Sequence, residues 1–131
     1  MKIKSSKQVY DCGLFQVTED RAVDEKTQFE IKRSVVRHIG SAVMMAVDDK
    51  KRVLLVRQYR LPAEKYLWEL PAGKLEPGED ALVGAQRELE EETGYRAKKW
   101  KPLVEYYASP GFLGESMKVF VAEGLVPGEA H

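Results

Sequence analysis

Residues 80–93, DALVGAQRELEEET, are the one stretch of this chain that reads as helix, and they end in a way helices avoid. Glu88, Glu90, Glu91 and Glu92 crowd the last turns. There the backbone dipole already carries partial negative charge and disfavours carboxylates. Glu88 and Glu92, four residues apart, also repel one another. Each effect costs a few tenths of a kcal/mol, up to about 1. The residues on either side read as strands separated by loops rich in glycine and proline. One helix among many strands implies an α+β domain.

The strands follow from alternation and β-branching. Residues 8–38 read as strands with polar turns, and FEIKRSVVRH (29–38) carries alternating Phe29 and Ile31 and the pair Val35 and Val36. SAVMMAV (41–47) and RVLLVRQY (52–59) flank Asp48, Asp49, Lys50 and Lys51, which predicts a hairpin. WELPAG (68–73) predicts a short strand stopped by Pro71 and Gly73. Asp80 is the expected N-cap of the helix and Gly94 its C′ residue. PLVEYYAS (102–109) and MKVFVAEG (117–124) predict two further strands joined by the loop PGFLGES. A boundary near His38–Gly40 divides a small N-terminal sheet, residues 1–38, from a main domain, residues 39–131. A few short strands alone are marginal, so the first segment needs something to pack on.

Composition narrows the function. The 131 residues suffice for a core. The chain has 21 lysines and arginines and 21 aspartates and glutamates, so it lacks the basic field of a non-specific nucleic-acid binder. Its single cysteine, Cys12, excludes an internal disulfide and fits a reducing compartment. Cys12 is expected in the core rather than as a nucleophile. MKIKSSKQVY has no apolar stretch behind its lysines, so it does not read as a signal peptide. No apolar run approaches the roughly 20 residues of a membrane span. The expected location is the cytoplasm, with no nucleic-acid or membrane partner.

The helix can be laid out at about 100° per residue. With Glu88 at zero, Glu92 lies at about 40° and Glu91 at about −60°. Ala85, Leu89 and Leu82 form an apolar stripe at about 60°, 100° and 120°. Glu90, near 200°, faces away and is expected to be solvated. Arg87 stands at i,i+4 spacing from Glu91 and can pair with it, which leaves two acids beside the core. A divalent cation is a compact remedy, and magnesium suits carboxylate, phosphate and water oxygens. Calcium lacks its twelve-residue loop here, and zinc lacks clustered His and Cys ligands. The alternative is a solvated acidic face, but two local rules are broken together and the loop PAGKLEPGE is built for close backbone approach.

These residues resemble the signature of the Nudix hydrolase family. It runs Gly, five residues, Glu, seven residues, Arg-Glu, an aliphatic residue, any residue, Glu-Glu, any residue, Gly and an aliphatic residue. Here Gly73, Glu79, Arg87, Glu88, Leu89, Glu91, Glu92 and Gly94 fill it, and Tyr95 stands in the last place. VLLVRQYR, then WELPAGKLEPGE and SPGFLGES, are similar to the ADP-ribose pyrophosphatase branch. That branch has a proline about 15 residues past the box, the place of Pro110. The similar stretches cover about residues 39–124. The N-terminal strands resemble a small domain that such enzymes exchange within a homodimer.

The resemblance implies a mixed sheet sandwiched by helices, with a small N-terminal antiparallel sheet. It implies Glu88 and Glu92 as magnesium (or manganese) ligands, Glu91 as third ligand or base, and the carbonyl of Ala72 as a further ligand. Arg87 would hold the acids by salt bridges, and Glu79 would order the loop. Glu115 is a candidate extra ligand or base. Arg57 and Arg60 are candidates to clamp phosphate, and Trp68 to stack on adenine. His38 is placed in a turn. The implied reaction is magnesium-dependent hydrolysis of the pyrophosphate bond of ADP-ribose, or a related nucleoside diphosphate sugar, to AMP and a sugar phosphate. The reading from another class is a non-catalytic nucleotide-sugar sensor or regulator on the same scaffold. The branch usually adds acidic residues and a last helix after the final strand, whereas this sequence ends VPGEAH. Glu115, Glu123 and Glu129 lie downstream of the box. Either the natural chain continues, or Glu91 or Glu115 activates the water.

Overall fold

The computed structural model describes residues 1–128, and Glu129 lies outside them. The chain forms two compact units, Met1–Gly40 with Tyr107–Ser116, and Ser41–Tyr106 with the chain from Met117 onward.

The first unit is an antiparallel sheet of β1 (Lys2–Asp11), β2 (Gln16–Val23) and β3 (Glu30–Arg37), in that order. Its turns are made by short polar side chains that bond their own backbone. Asp11 Oδ1 accepts the Gly13 N–H at 2.8 Å, and Gly13 takes the positive φ of 84° that the turn requires. Asp24 Oδ1 accepts the Lys26 N–H at 2.9 Å in the next turn. Cys12 sits in the first of these turns and is exposed, contrary to the expectation of a core position. A residue where the chain reverses between two strands has no packed face to enter. The loop 108–115 docks on β3: the Val36 N–H donates to Phe112 O at 2.8 Å, and the Gly114 N–H to Val36 O at 2.9 Å.

The second unit contains β4 (Ser41–Val47), β5 (Val56–Arg60), β6 (Lys65–Glu69), β7 (Ala72–Lys74), α1 (Ala81–Thr93) and all but the end residues Tyr107 and Ser116 of β8 (Tyr95–Tyr107) and β9 (Ser116–Pro127). One sheet has the order β7-β4-β9-β8, with β4 antiparallel to β7 and parallel to β9. It is therefore mixed. The central strand β4 is paired on both edges, which suits its continuous apolar run, SAVMMAV. Ala42, Met44 and Ala46 of β4, Phe120 and Ala122 of β9, Leu75, and Ala85 and Leu89 of α1 make the core. The alanines leave room for the helix to lie close over the sheet. Among the described residues α1 is the one α-helix, joined only by the three-residue 3-10 turn Leu61–Ala63, so the expected helical sandwich is reduced to a single helix. None of the described helices is long and apolar enough to cross a membrane.

The helix boundaries follow its caps. Asp80 accepts from the N–H groups of Leu82 and Val83 at 3.1 and 3.2 Å, and Gly94 closes the other end at φ 75°. The hairpin expected from residues 41–59 is corrected. The turn does close, with the Asp48 N–H on Arg52 O at 3.0 Å and one bridge, Val47 to Val53. The chain then leaves, because both edges of β4 are already taken by β7 and β9. β5 pairs with β6 instead, in a separate two-stranded sheet. WELPAG likewise divides around Pro71 into the end of β6 and the start of β7. β8 begins at Tyr95, directly after the helix and well before residue 102.

Replacing Asp80 with Ala orphans two N–H groups and is expected to lower the unfolding free energy by about 1 kcal/mol. A denaturant titration should show a shifted midpoint with an unchanged slope.

Candidate functional site

The site is built where β7 passes beneath the last turns of α1. Gly73 pairs with Ala42 in the sheet, and a Cβ there would overlap the Glu88 carboxylate. Glycine is required because the acid lies directly on the backbone. The loop between β7 and α1 is ordered by Glu79. Its Oε1 accepts the Glu76 N–H at 3.1 Å, and its own N–H donates to Glu76 O at 3.0 Å. Gly84 gives that side chain space, since a Cβ at Gly84 would stand 2.9 Å from Glu79 Oε1.

Arg87 organises the acids. Its Nε and Nη2 each donate to one oxygen of Glu79 at 3.0 Å. Its Nη1 donates to Glu88 Oε1 at 2.9 Å and to Glu91 Oε2 at 3.1 Å. Helical spacing predicts the Glu91 pairing, and the family resemblance implies that Arg87 holds the acids by salt bridges; the guanidinium reaches three carboxylates, Glu79, Glu88 and Glu91. The Arg87 hydrogen bonds, seconded by the Glu76 N–H, hold Glu79 below the ordinary glutamate pKa. Glu79 in turn raises Arg87 further above its already high value.

Glu92 is outside this network. Among the described residues its Oε2 accepts a long bond from the Ala72 N–H, at 3.3 Å. The residue as a whole is exposed, yet enough protein surrounds the carboxyl that burial is the leading cause of its raised pKa. The charges of Glu88 and Glu69 push the same way, while the Ala72 N–H and the charge of Arg60 oppose. Glu90 lies apart from these acids. Rather than being simply solvated, it is 17% exposed and paired with Arg96 at 3.0 Å. The helical angle correctly turned it away from the other acids, but could not foresee that β8 would bring Arg96 to it.

Glu88 and Glu92 thus lie along the backbone of β7, the first against Gly73 and the second on the Ala72 N–H, and their carboxylates are hard oxygen donors of the kind that fit a divalent cation. Among the described residues no three His, Cys, Asp or Glu side chains converge as a ready-made metal cage. The set suits an ion that completes its shell with a backbone carbonyl, water and substrate phosphate, as magnesium does.

The β5–β6 hairpin divides the remaining candidates. Its register pairs Val56 with Glu69, Arg57 with Trp68, Gln58 with Leu67, Tyr59 with Tyr66 and Arg60 with Lys65. Alternation therefore puts Arg60 and Glu69 on one face, and Arg57, Tyr59, Tyr66 and Trp68 on the other. Arg60 Nε and Nη2 donate to Glu69 at 2.7 and 2.9 Å. On the other face the Arg57 guanidinium lies 4.7 Å from the Tyr66 ring centre and 5.9 Å from that of Trp68, and Trp68 is 67% exposed. Of the two arginines, Arg60 is the one whose charge acts on Glu92. Glu69 was missed in the sequence. A charged residue between Trp68 and Leu70, on the same hairpin face as Arg60, was the available signal.

Glu115 and Pro110 belong to the first unit. Glu115 Oε2 lies 3.7 Å from His38 Nε2, and His38 Nδ1 accepts the Gly40 N–H at 2.9 Å. That bond puts the neutral ring's proton on Nε2, facing the carboxylate. Pro110 opens the turn in which the Leu113 N–H donates to Ser109 O at 2.9 Å.

A glycine-floored loop that leads into a helix bearing Arg-Glu and Glu-Glu pairs defines a class of protein, and comparison with known proteins agrees. Residues 36–130 match the family model of the NUDIX domain, and the chain belongs to the Nudix family. It is 49% identical over 94 residues to an ADP-ribose pyrophosphatase of Bacillus subtilis (strain 168), covering 72% of this chain and 51% of that protein. It is 48% identical over 94 residues to a methanol dehydrogenase activator of Bacillus methanolicus, with the same coverage of 72% and 51%. A crystal structure of an ADP compounds hydrolase superposes with a TM-score of 0.80 at 25% identity, covering 100% of this chain and 72% of the other. The chain spans about half the length of the curated relatives it matches.

The unequal settings of Glu88 and Glu92 make a pH prediction. A carboxyl whose folded pKa is raised destabilises the fold once pH climbs above its unfolded value, here 4.5. Without metal, Glu92→Gln should match wild type in stability well below that pH and exceed it increasingly as pH rises through the folded pKa. Near neutrality the gain should be about 0.2–0.5 kcal/mol, the scale of one i,i+4 repulsion. Glu88→Gln should instead lose stability, because it gives up a bond from Arg87. Thermal melts across pH would measure both.

Proposed function

We propose that this chain is a magnesium-dependent hydrolase that cleaves the pyrophosphate bond of ADP-ribose or a related nucleoside diphosphate sugar. The observation that supports this reading is the Glu88 carboxylate lying on Gly73 with its other oxygen held by Arg87, while Glu92 accepts the N–H of the neighbouring Ala72. A pyrophosphate diester repels nucleophiles because each phosphorus bears negative oxygens. Magnesium, or manganese in its place, would neutralise that charge and lower the pKa of an attacking water. Glu88 and Glu92 would hold the ion, with the Ala72 carbonyl and Glu91 as further ligands, and Arg60 would clamp phosphate. Water adds to one phosphorus and the bridging P–O bond breaks, giving AMP and ribose 5-phosphate. Glu91, half exposed and with one oxygen on Arg87, and Glu115 are the two candidates for the group that takes the water's proton. Arg57, Tyr66 and Trp68 offer a separate stacking face suited to a base.

We assign residues 1–38 to a homodimer interface. All ten residues of β1 are exposed, and it is an edge strand carrying Ile3, Val9 and Tyr10. Unpaired edges of this kind recruit another chain. An exposed free thiol at Cys12 suits the reducing cytoplasm. Light scattering at micromolar concentration should give twice the chain mass, and a monomer would count against the assignment.

A second reading is favoured by one specific observation, the 48% identity to a protein named methanol dehydrogenase activator. On that reading the chain regulates another enzyme. Phosphate release from ADP-ribose in the presence of alkaline phosphatase separates the two. A panel of ADP-ribose, ADP-glucose, GDP-mannose and dinucleotides would name the substrate. Glu88→Gln and Glu92→Gln are each expected to cut turnover by several orders of magnitude while the circular dichroism spectrum stays that of wild type. Near-normal turnover in either would remove it from the metal site.

A further inference from the structure

Gly94 follows the last residue of α1, and its N–H closes the final turn on Glu90 O at 2.9 Å. Its carbonyl is taken as well. The Gly128 N–H donates to Gly94 O at 2.7 Å. β8 and β9 are neighbours in the sheet, and the two glycines lie one residue outside them, before Tyr95 and after Pro127. The hydrogen bonding of the sheet therefore runs on into the capping residue of the helix. A helix C-terminus ordinarily frays, because its last carbonyls lack intrahelical partners. This one is stitched to the exit of β9.

The path of β9 leads to that contact. β9 runs beside β4 as far as Glu123, the partner of Val47. Gly124 then takes a φ of 70°, Leu125 packs against the core, and Pro127 holds its own φ fixed just before Gly128. The backbone of Gly128 lies against Glu90, since a Cβ there would stand 3.1 Å from Glu90 Cγ and 3.1 Å from Gly94 O. Glu90 is 17% exposed and pairs with Arg96 of β8 at 3.0 Å. The helix end is thus held from two directions. Arg87 fixes Glu88 and Glu91 by their carboxylates. Glu92 is placed by its backbone, two residues before the glycine that Gly128 binds.

We propose that Gly128 is a positioning residue: by donating to Gly94 O it holds the last turn of α1, and with it Glu92, where that acid meets the cation. This rests on the reading that Glu92 holds a divalent ion. Two substitutions at one position test it. Gly128→Pro removes the N–H, whereas Gly128→Ala adds a Cβ against Glu90 and keeps the N–H, so the difference between them isolates the hydrogen bond. Magnesium binding is measured by calorimetry on each protein, beside wild type and Glu92→Gln. Amide hydrogen exchange, denaturant midpoints without metal, and kcat for ADP-ribose complete the set. Gly128→Pro should raise the magnesium dissociation constant about fivefold over Gly128→Ala, the loss of one hydrogen bond. The amides of Glu92, Thr93 and Gly94 should exchange faster by a similar factor, with protection in β4 unchanged. At saturating magnesium kcat should change by less than about twofold, because the contact sets occupancy of the site. If the added Cβ prevents folding, the same pair is compared in a Glu90→Ala background, which clears the space. If Glu92→Gln binds magnesium as wild type does, Glu92 is not a ligand and the underlying reading fails. If Glu92→Gln weakens binding while Gly128→Pro and Gly128→Ala bind magnesium equally, that reading stands. The Gly128 bond is then merely structural, whatever the denaturant midpoints show, and its positioning role is overturned.

Discussion

One guanidinium joins two of the four carboxylates that crowd the end of the helix to a third in the loop before it. Arg87 binds Glu79 with two nitrogens and shares the third between Glu88 and Glu91. A helix end that carried these charges unpaired would suffer both the dipole and the mutual repulsion. The same contacts set geometry. Glu79 ties the helix to the loop before it, and Glu88 is pulled so that its carboxylate rests on Gly73. Arg87 therefore connects loop, helix and strand through charge, while Ala85 and Leu89 connect them through packing. Removing the guanidinium would unpair three acids at once, two of them largely buried side chains at 12% and 14% exposure.

The packing beneath is equally specific about distance. α1 meets the sheet through Gly84, Ala85 and Leu89 over the alanines of β4, so the helix lies low enough for Glu88 to cover the backbone of β7. Phe120 packs edge-on against Trp100 with ring centres 6.4 Å apart, filling the space beyond the alanines. A bulkier β4 would lift the helix and separate Glu92 from Ala72. The small residues are thus part of the site, although none of them carries its chemistry.

Local signals in the sequence proved sufficient wherever the determinants were local. Asp80 and Gly94 cap the helix where their chemistry places them, and the 100° rotation separated Glu90 from Glu88 and Glu92. Strand pairing was not legible. Whether RVLLVRQY joins β4 depends on which strands occupy the edges of β4, and one of them, β9, lies some seventy residues further along the chain. The same limit hid Glu69. Only the β5–β6 register places it on the face of Arg60, and the register is fixed by the turn at Leu61–Glu64, where Glu64 takes a left-handed conformation. It also explains why Arg57 and Arg60, alike in sequence, belong to opposite faces. Cys12 was misplaced because a cysteine's preference for the interior is statistical, whereas a turn position is geometric.

The two acids at the head of the site are not equivalent, and their difference suits the chemistry proposed for them. Glu88 is fixed on three sides, by Arg87, by the floor of Gly73 and by low exposure. Glu92 has one long hydrogen bond and several charges that conflict. A ligand already fixed loses little entropy when an ion binds, so on the proposed reading Glu88 would set where the cation sits. A ligand held weakly and disfavoured in its charged form gains most from the ion's arrival, so Glu92 makes the free energy of binding depend on charge. The hairpin adds the opposing term. Glu69 raises the electrostatic cost at Glu92 and Arg60 lowers it. On the proposed reading such a site would take a divalent ion before an anionic substrate, and the ion would make the acidic surface one that a pyrophosphate can approach.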